Sequence, residues 1–62
     1  MLVTTTIHRP GEIVRTSGQY RVVDVGGRSC GREVTCVRGE PFPPTRTARE
    51  YGYVLADATI HR

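Results

Sequence analysis

Short runs of β-branched and aromatic residues alternate along this chain with clusters of glycine and proline. No segment repeats apolar residues at the three-to-four-residue spacing of an amphipathic helix. Such runs, separated by turn residues, are typical of the strands of a small all-β domain. The pattern predicts strands over residues 2–8, 19–25, 32–37 and 51–56, a short extended piece at 13–14, and a continuation of the last strand at 59–62.

Glycine and proline mark the predicted connections, because glycine permits positive φ and proline removes a backbone donor. The segment Pro41–Pro44 is expected to be extended, since its three rings fix φ and prevent strand pairing. Residues 45–50 are the one stretch with the composition of a helical turn, with a threonine as its cap. The remaining turns are predicted at 10–11, 17–18, 26–31 and 38–40.

The 62 residues are expected to form one domain, residues 1–62, because a chain this short encloses one small core. The fold class predicted is all-β, as a small meander or an SH3-like open barrel of four to five short strands. Strand alternation places Val34 and Cys36 on one face. The predicted core consists of Ile7, Ile13, Tyr20, Val22, Val34, Cys36, Phe42, Tyr53 and Leu55.

All nine basic residues are arginine, and with six acidic residues they give a net charge of +3 and a pI near 9.4. Arginine recognises carboxylates and phosphates through a planar fork, although a GC-rich genome would also favour it over lysine. The arginines are dispersed, whereas nucleic-acid-binding proteins usually cluster their charge. Tyrosines beside arginines could still stack on bases, or they could belong to the core. The candidates for nucleic-acid contact are Arg21, Arg49, Tyr51 and Tyr53.

Groups that could carry catalysis or hold a metal are sparse. Cys30 and Cys36 are expected to be reduced, Cys36 as a small buried hydrophobe and Cys30 as an exposed loop thiol. Together with His8 and His61 they would provide four zinc ligands, but their spacing does not favour a tetrahedral site. No nucleophile and base share a motif, and so short a chain has little room for a substrate pocket. The sequence therefore predicts no enzyme activity, no cofactor and no small-molecule substrate.

The proline-rich segment has two interpretations. Its prolines and the following arginine fit the spacing of a polyproline ligand, which docks into aromatic grooves. More often such a segment is a rigid crossover, here with Phe42 anchored in the core. The candidate partner-binding residues are Arg38, Phe42, Pro43, Pro44 and Arg46.

Strand edges offer a second route to association. Thr-Ile-His-Arg occurs at 6–9 and again at 59–62, which reflects chance, shared strand preference or a pairing of the two termini. Terminal strands expose unpaired backbone groups to other chains. Self-association is therefore expected of a β-module this small.

The apolar runs of the chain are too short for a membrane helix, which needs about 18 residues. Its start has neither a basic segment nor a long apolar stretch of the kind found in signal peptides. The cytoplasm is the expected location.

The order of these signals resembles the YjzC-like family of small bacterial proteins. The matching residues are Arg9-Pro10-Gly11-Glu12, Gly18-Gln19-Tyr20, Glu33-Val34-Thr35, Val37-Arg38-Gly39-Glu40 and Phe42-Pro43-Pro44. The resemblance implies a compact β-rich module and no established activity. Related proteins with this layout carry a Cys-x-x-Cys zinc knuckle after the Phe-Pro segment, where this chain has Thr45 and Ala48.

These observations together favour a non-enzymatic interaction module. It is expected to bind a protein partner or its own copy through an exposed strand edge and the proline-rich loop. The alternative is a nucleic-acid-binding accessory protein that uses the dispersed arginines and tyrosines.

Overall fold

A computed structural model describes residues 6–58 of the chain. They form three strands, β1 (Gly18–Val23), β2 (Ser29–Cys36) and β3 (Gly52–Ala58). The strands make one antiparallel sheet in the order β2-β1-β3, with β1 in the centre. The all-β prediction is confirmed, whereas an SH3-like barrel of four to five strands is not, because the described residues form an open three-stranded sheet.

A tight turn joins β1 to β2. The Asp24 carboxylate accepts hydrogen bonds of 2.9 Å from the N–H groups of Gly26 and Arg28, which holds the turn closed. The same bonds lower the pKa of Asp24, that from Arg28 most, because they stabilise its ionised form. The turn is shorter than the predicted loop over 26–31, since β2 already begins at Ser29.

Gly31 explains how β2 extends into the predicted loop. Its φ is +85°, in the left-handed region that favours glycine, and the β1–β2 register shifts between Arg21 and Val23. Gly31 thus forms a bulge inside β2, where the sequence suggested the end of a loop. From Glu33 onward the register with β1 is unbroken to Cys36.

The β1–β2 hairpin continues beyond a bend as a second, shorter ribbon. Ile13 pairs with Pro41 in the same register in which Gly18 pairs with Cys36. Backbone hydrogen bonds of 2.8–3.0 Å join residues 11–14 to residues 39–42. The predicted extended piece at 13–14 and the predicted turn after Val37 are both present, and the ribbon carries Phe42 to the sheet.

The segment before the ribbon is attached to the outer side of β3. His8 and Tyr53 exchange two backbone hydrogen bonds, each of 2.8 Å. This close approach requires glycine at position 52, because a Cβ there would lie 2.6 Å from the Ile7 Cγ2 atom and would collide with the His8 carbonyl oxygen. Most of the first predicted strand, residues 2–5, lies outside the described residues, as do residues 59–62.

The core is an aromatic cluster on one face of the sheet. The Phe42 ring stacks on His8 and on Tyr53, with centroid distances of 5.0 and 5.3 Å, and Tyr20 meets it edge-on at 5.0 Å. The buried hydroxyls are satisfied, since Tyr20 donates to the Thr16 carbonyl at 2.6 Å and Tyr53 to the Pro43 carbonyl at 2.7 Å. The cluster consists of Val14, Tyr20, Val22, Cys36, Phe42 and Tyr53, with Val34 packed against it.

The core prediction is wrong at two residues, Ile13 and Leu55. Ile13 is 57% exposed because it faces away from the cluster and its neighbour Val14 faces inward. Leu55 is 38% exposed because burial along β3 ends after its first three residues. Ile7 is only half-buried, and Val23 is buried outside the aromatic cluster.

Residues 45–50 contain a turn and no helix. The Glu50 N–H donates to the Thr47 carbonyl at 3.2 Å, and the Arg46 N–H donates to the Glu50 carboxylate at 2.8 Å. These residues therefore form a loop that is closed by the Glu50 side chain, and the predicted helical turn is wrong. Over residues 6–58 there is no helix of the length and apolar character needed to cross a membrane.

Candidate functional site: the outer edge of β2

In the described part of the chain, β2 lies at one side of the sheet with its outer edge unpaired. Within residues 6–58, β2 pairs only with β1, and no backbone partner lies along its outer edge. The opposite side of the sheet differs, because the backbone of His8 is hydrogen-bonded to the backbone of Tyr53 on β3. An unpaired strand edge is a template for another strand, so the outer edge of β2 is the candidate interaction site.

The pairing of β3 shows in which direction the backbone groups of β1 point. Tyr53 uses both of its backbone groups with His8, so it makes no ladder hydrogen bonds with Val22, its opposite residue on β1. Because bonded and non-bonded pairs alternate in an antiparallel ladder, Val22 and Tyr20 direct their N–H and C=O groups toward β2.

The same alternation shows which backbone groups of β2 point away from β1. Tyr20 is opposite Val34, which therefore forms a hydrogen-bonded pair with it. Glu33 and Thr35, on either side of Val34, then direct their N–H and C=O groups away from β1. Two residues thus present four backbone hydrogen-bonding groups at the open edge.

Side chains on the two faces of β2 differ in character. Glu33 and Thr35 lie on the solvent face opposite Arg21 and Gln19 of β1, and the Thr35 hydroxyl donates to the Gln19 side-chain oxygen. The other face carries Cys30, Arg32, Val34 and Cys36, all at least half-buried. A strand added at this edge would continue a polar outer face and a partly apolar inner face.

Arg32 and Glu50 attach the loop before β3 to this edge strand. The Arg32 guanidinium donates to both carboxylate oxygens of Glu50, at 2.8 and 3.2 Å. The Glu50 side chain is only 6% exposed. The guanidinium lowers the pKa of Glu50 to about 2, with help from the backbone N–H of Arg46, because both stabilise the carboxylate. The same pair raises the pKa of Arg32.

A shallow groove of about 330 Å³ lies between β2 and this loop. Cys30 contributes from β2, and residues 47–50 contribute from the loop. Cys30 is half-buried in a strand, which corrects its prediction as an exposed loop thiol. Both cysteines are free, and burial raises the pKa of Cys36, as expected for a core thiol.

The five candidate partner-binding residues do not form one surface. Phe42 is 2% exposed in the centre of the core, and Pro43 is half-buried, with its carbonyl bonded to a tyrosine hydroxyl. Arg38, Pro44 and Arg46 are exposed. The segment thus matches the crossover interpretation with Phe42 as its anchor, and the Phe42 ring is inaccessible to a partner in this fold.

The four candidate nucleic-acid residues are also separated. Tyr53 is fully buried, so its ring cannot stack on a base. Tyr51 is half-buried, and the Arg9 guanidinium covers one face of its ring at 3.8 Å from the centroid. Arg21 and Arg49 remain exposed, but the paired tyrosine platform is not formed.

The histidines and cysteines proposed as alternative zinc ligands are not gathered in the described part of the chain. No group of three His, Cys, Asp or Glu side chains among residues 6–58 is arranged to hold a metal ion. His61 lies outside those residues.

Sequence reasoning missed the Arg32–Glu50 pair and the outward groups of Glu33 and Thr35. The Glu33 and Thr35 positions follow once the hairpin register is known, and the register depends on the Gly31 bulge. No local signal connects Arg32 with a carboxylate 18 residues away.

No family model matches the chain, and neither the curated proteins nor the solved structures contain a match. The resemblance to the YjzC-like family stays a prediction.

Proposed function

We propose that this protein is a non-enzymatic interaction module that binds an extended polypeptide segment as an additional strand beside β2. The observation that carries the proposal is the unpaired outer edge of β2 within the described residues. Glu33 and Thr35 supply the backbone donors and acceptors for the added strand. Main-chain hydrogen bonds provide affinity in this mode of recognition, and flanking side chains provide specificity.

The loop before β3 supplies the flanking surface. The Arg32–Glu50 pair holds residues 46–50 against the inner face of β2, next to the groove at Cys30. Exposed Arg46 is attached to the same carboxylate through its backbone. A segment beside β2 would therefore meet both the strand edge and this arginine-bearing loop, which favours a segment with acidic or polar side chains.

A cytoplasmic location belongs to the same proposal. Two free cysteines in one small domain support it, because reducing compartments keep thiols unpaired.

The substitution Thr35→Pro tests the proposal. Proline removes an N–H that points away from β1 and leaves the Tyr20–Val34 pair untouched, so β2 should persist while its edge loses a donor. Thr35→Val is the matched control, because it also loses the hydroxyl bonded to Gln19 but keeps the N–H. Tagged wild-type and variant chains would be compared by quantitative mass spectrometry of co-purifying proteins, the chain's own untagged copy included.

We expect a partner that is recovered with wild type and Thr35→Val and lost with Thr35→Pro. Equal recovery with all three chains would contradict edge binding, and so would recovery of nothing. The nucleic-acid alternative is tested by fluorescence anisotropy with random oligonucleotides at low and high salt, where salt-sensitive binding would favour it.

A further inference from the structure

We infer that the strand bound at the outer edge of β2 is β2 of a second copy, paired antiparallel about a two-fold axis at Val34. This inference rests on the proposed function and specifies its partner. It follows from three constraints on the register: sheet face, the extent of the regular part of β2, and charge.

Sheet geometry restricts the possible axes. Residues directly opposite each other in an antiparallel pair have their side chains on the same face. In two identical strands related by a two-fold axis perpendicular to the sheet, one residue is therefore directly opposite its own copy. The axis passes between the two copies of that residue, which names the axis below. The regular part of β2 after the Gly31 bulge offers axes at residues 32, 33, 34 and 35.

All four axes set odd-numbered residues opposite odd-numbered residues, so each of them uses the outward groups of β2. With the axis at Val34, Glu33 of each copy is opposite Thr35 of the other, and their N–H and C=O groups bond pairwise. An axis at Arg32 also pairs odd-numbered residues, but it forces the bulged Gly31 to be opposite Glu33. Axes at Glu33 and Thr35 use the same outward groups, with each of these residues opposite its own copy.

Charge and the length of β2 exclude the axes other than that at Val34. An axis at Glu33 sets two carboxylates directly opposite each other, and an axis at Arg32 does the same with two guanidinium groups, which destabilises the pairing. An axis at Thr35 moves the overlap past the end of β2 to Val37. The axis at Val34 avoids all of these: Glu33 is opposite Thr35, and Arg32 is opposite Cys36.

Burial supports the same register. Val34 is half-buried against the aromatic cluster, on the inner face of the open edge. At the axis it would contact Val34 of the second copy in the closely spaced, non-hydrogen-bonded type of pair. The two cores would then adjoin through a valine pair, while the polar outer face would continue across both copies.

Mixed disulfide trapping tests this register. Glu33→Cys and Thr35→Cys are prepared separately on a Cys30→Ser background, and each is oxidised in a glutathione buffer alone and as an equal mixture. The paired positions should lie about 5.5 Å apart between Cα atoms, within the range that a disulfide spans. We expect a dimer band on non-reducing gels at least tenfold stronger in the mixture than in either variant alone.

A strong band from Glu33→Cys alone or from Thr35→Cys alone would overturn the Val34 axis in favour of another register. Analytical ultracentrifugation supplies an independent measurement: wild type and Thr35→Val should dimerise as the concentration rises, and Thr35→Pro should remain a monomer. Circular dichroism should show that Thr35→Pro is still folded. A wild-type chain that is monomeric at all concentrations would overturn self-pairing. Edge binding would then still be judged by the co-purification experiment, so the two failures are distinguishable.

Discussion

Replacing Phe42 tests whether the proline-rich segment is anchored in the core or available for contact. The ring is 2% exposed and contacts three other aromatic rings, so both its burial and its stacking stabilise the fold. Phe42→Ala removes both contributions, whereas Phe42→Leu retains an apolar side chain and removes the stacking. Arg46→Ala, at an exposed side chain four residues later, is the control.

The expected losses are large compared with the stability of so small a domain. A chain of this length is expected to have a free energy of unfolding of about 3–9 kcal/mol. Truncating a buried phenylalanine to alanine costs about 3–5 kcal/mol, so Phe42→Ala should lose between about a third and all of the stability of the fold. Three aromatic pairs contribute together about 1.5 kcal/mol even at the lower end of their usual range, which sets the minimum loss for Phe42→Leu.

Urea titrations and thermal melts followed by far-ultraviolet circular dichroism would measure these losses. Phe42→Leu should melt about 6–12 °C below wild type, given roughly 4–8 °C per kcal/mol in a domain of this size. Arg46→Ala should stay within about 0.5 kcal/mol of wild type. If Phe42→Ala unfolded cooperatively within about 2 °C of the wild-type midpoint, the anchoring role of this ring would be refuted.

Three further changes probe the elements around the site. Glu50→Gln should destabilise the chain at pH 7, because Arg32 loses its charged partner. Since the pKa of Glu50 is lowered from 4.5 to about 2, its contribution is complete above pH 4.5 and is lost as the pH falls through 2. Denaturation of Glu50→Gln across that interval should therefore show a smaller pH slope than wild type, and an equal slope would contradict the ion pair. Gly52→Ala should displace the His8 backbone from β3, which hydrogen exchange at the His8 and Tyr53 amides would detect as faster exchange; unchanged protection would oppose it. Tyr53→Phe removes one buried hydrogen bond and should cost about 1 kcal/mol in urea denaturation, with no measurable loss as the contrary result.

Local signals in the sequence predicted the central features of the fold. The alternation of valine and tyrosine with polar residues identified β1, and the glycine and proline clusters identified most turns. The identity of the buried residue in a short extended piece was less accessible: Val14 and not Ile13 faces the core, because the register of the second ribbon decides it. A shift of one residue reverses every side chain of a strand.

The candidate site required information that a single sequence does not carry. The sequence predicts Gly31 to be part of a loop, because bulge glycines and turn glycines have the same local signature. Its placement inside β2 determines the register, and the register determines that the backbone groups of Glu33 and Thr35 point away from β1. The Arg32–Glu50 pair depends on how the loop returns to the sheet, which is a tertiary property.

The attachment of His8 to Tyr53 has a consequence for the size of any assembly. A sheet that is unpaired at both outer strands could add further molecules at each of them and form a filament, as in cross-β fibres. Here the chain's own backbone already occupies β3 at Tyr53. Pairing through β2 would therefore leave each outermost strand already covered at Tyr53, so that this position could not template the next molecule.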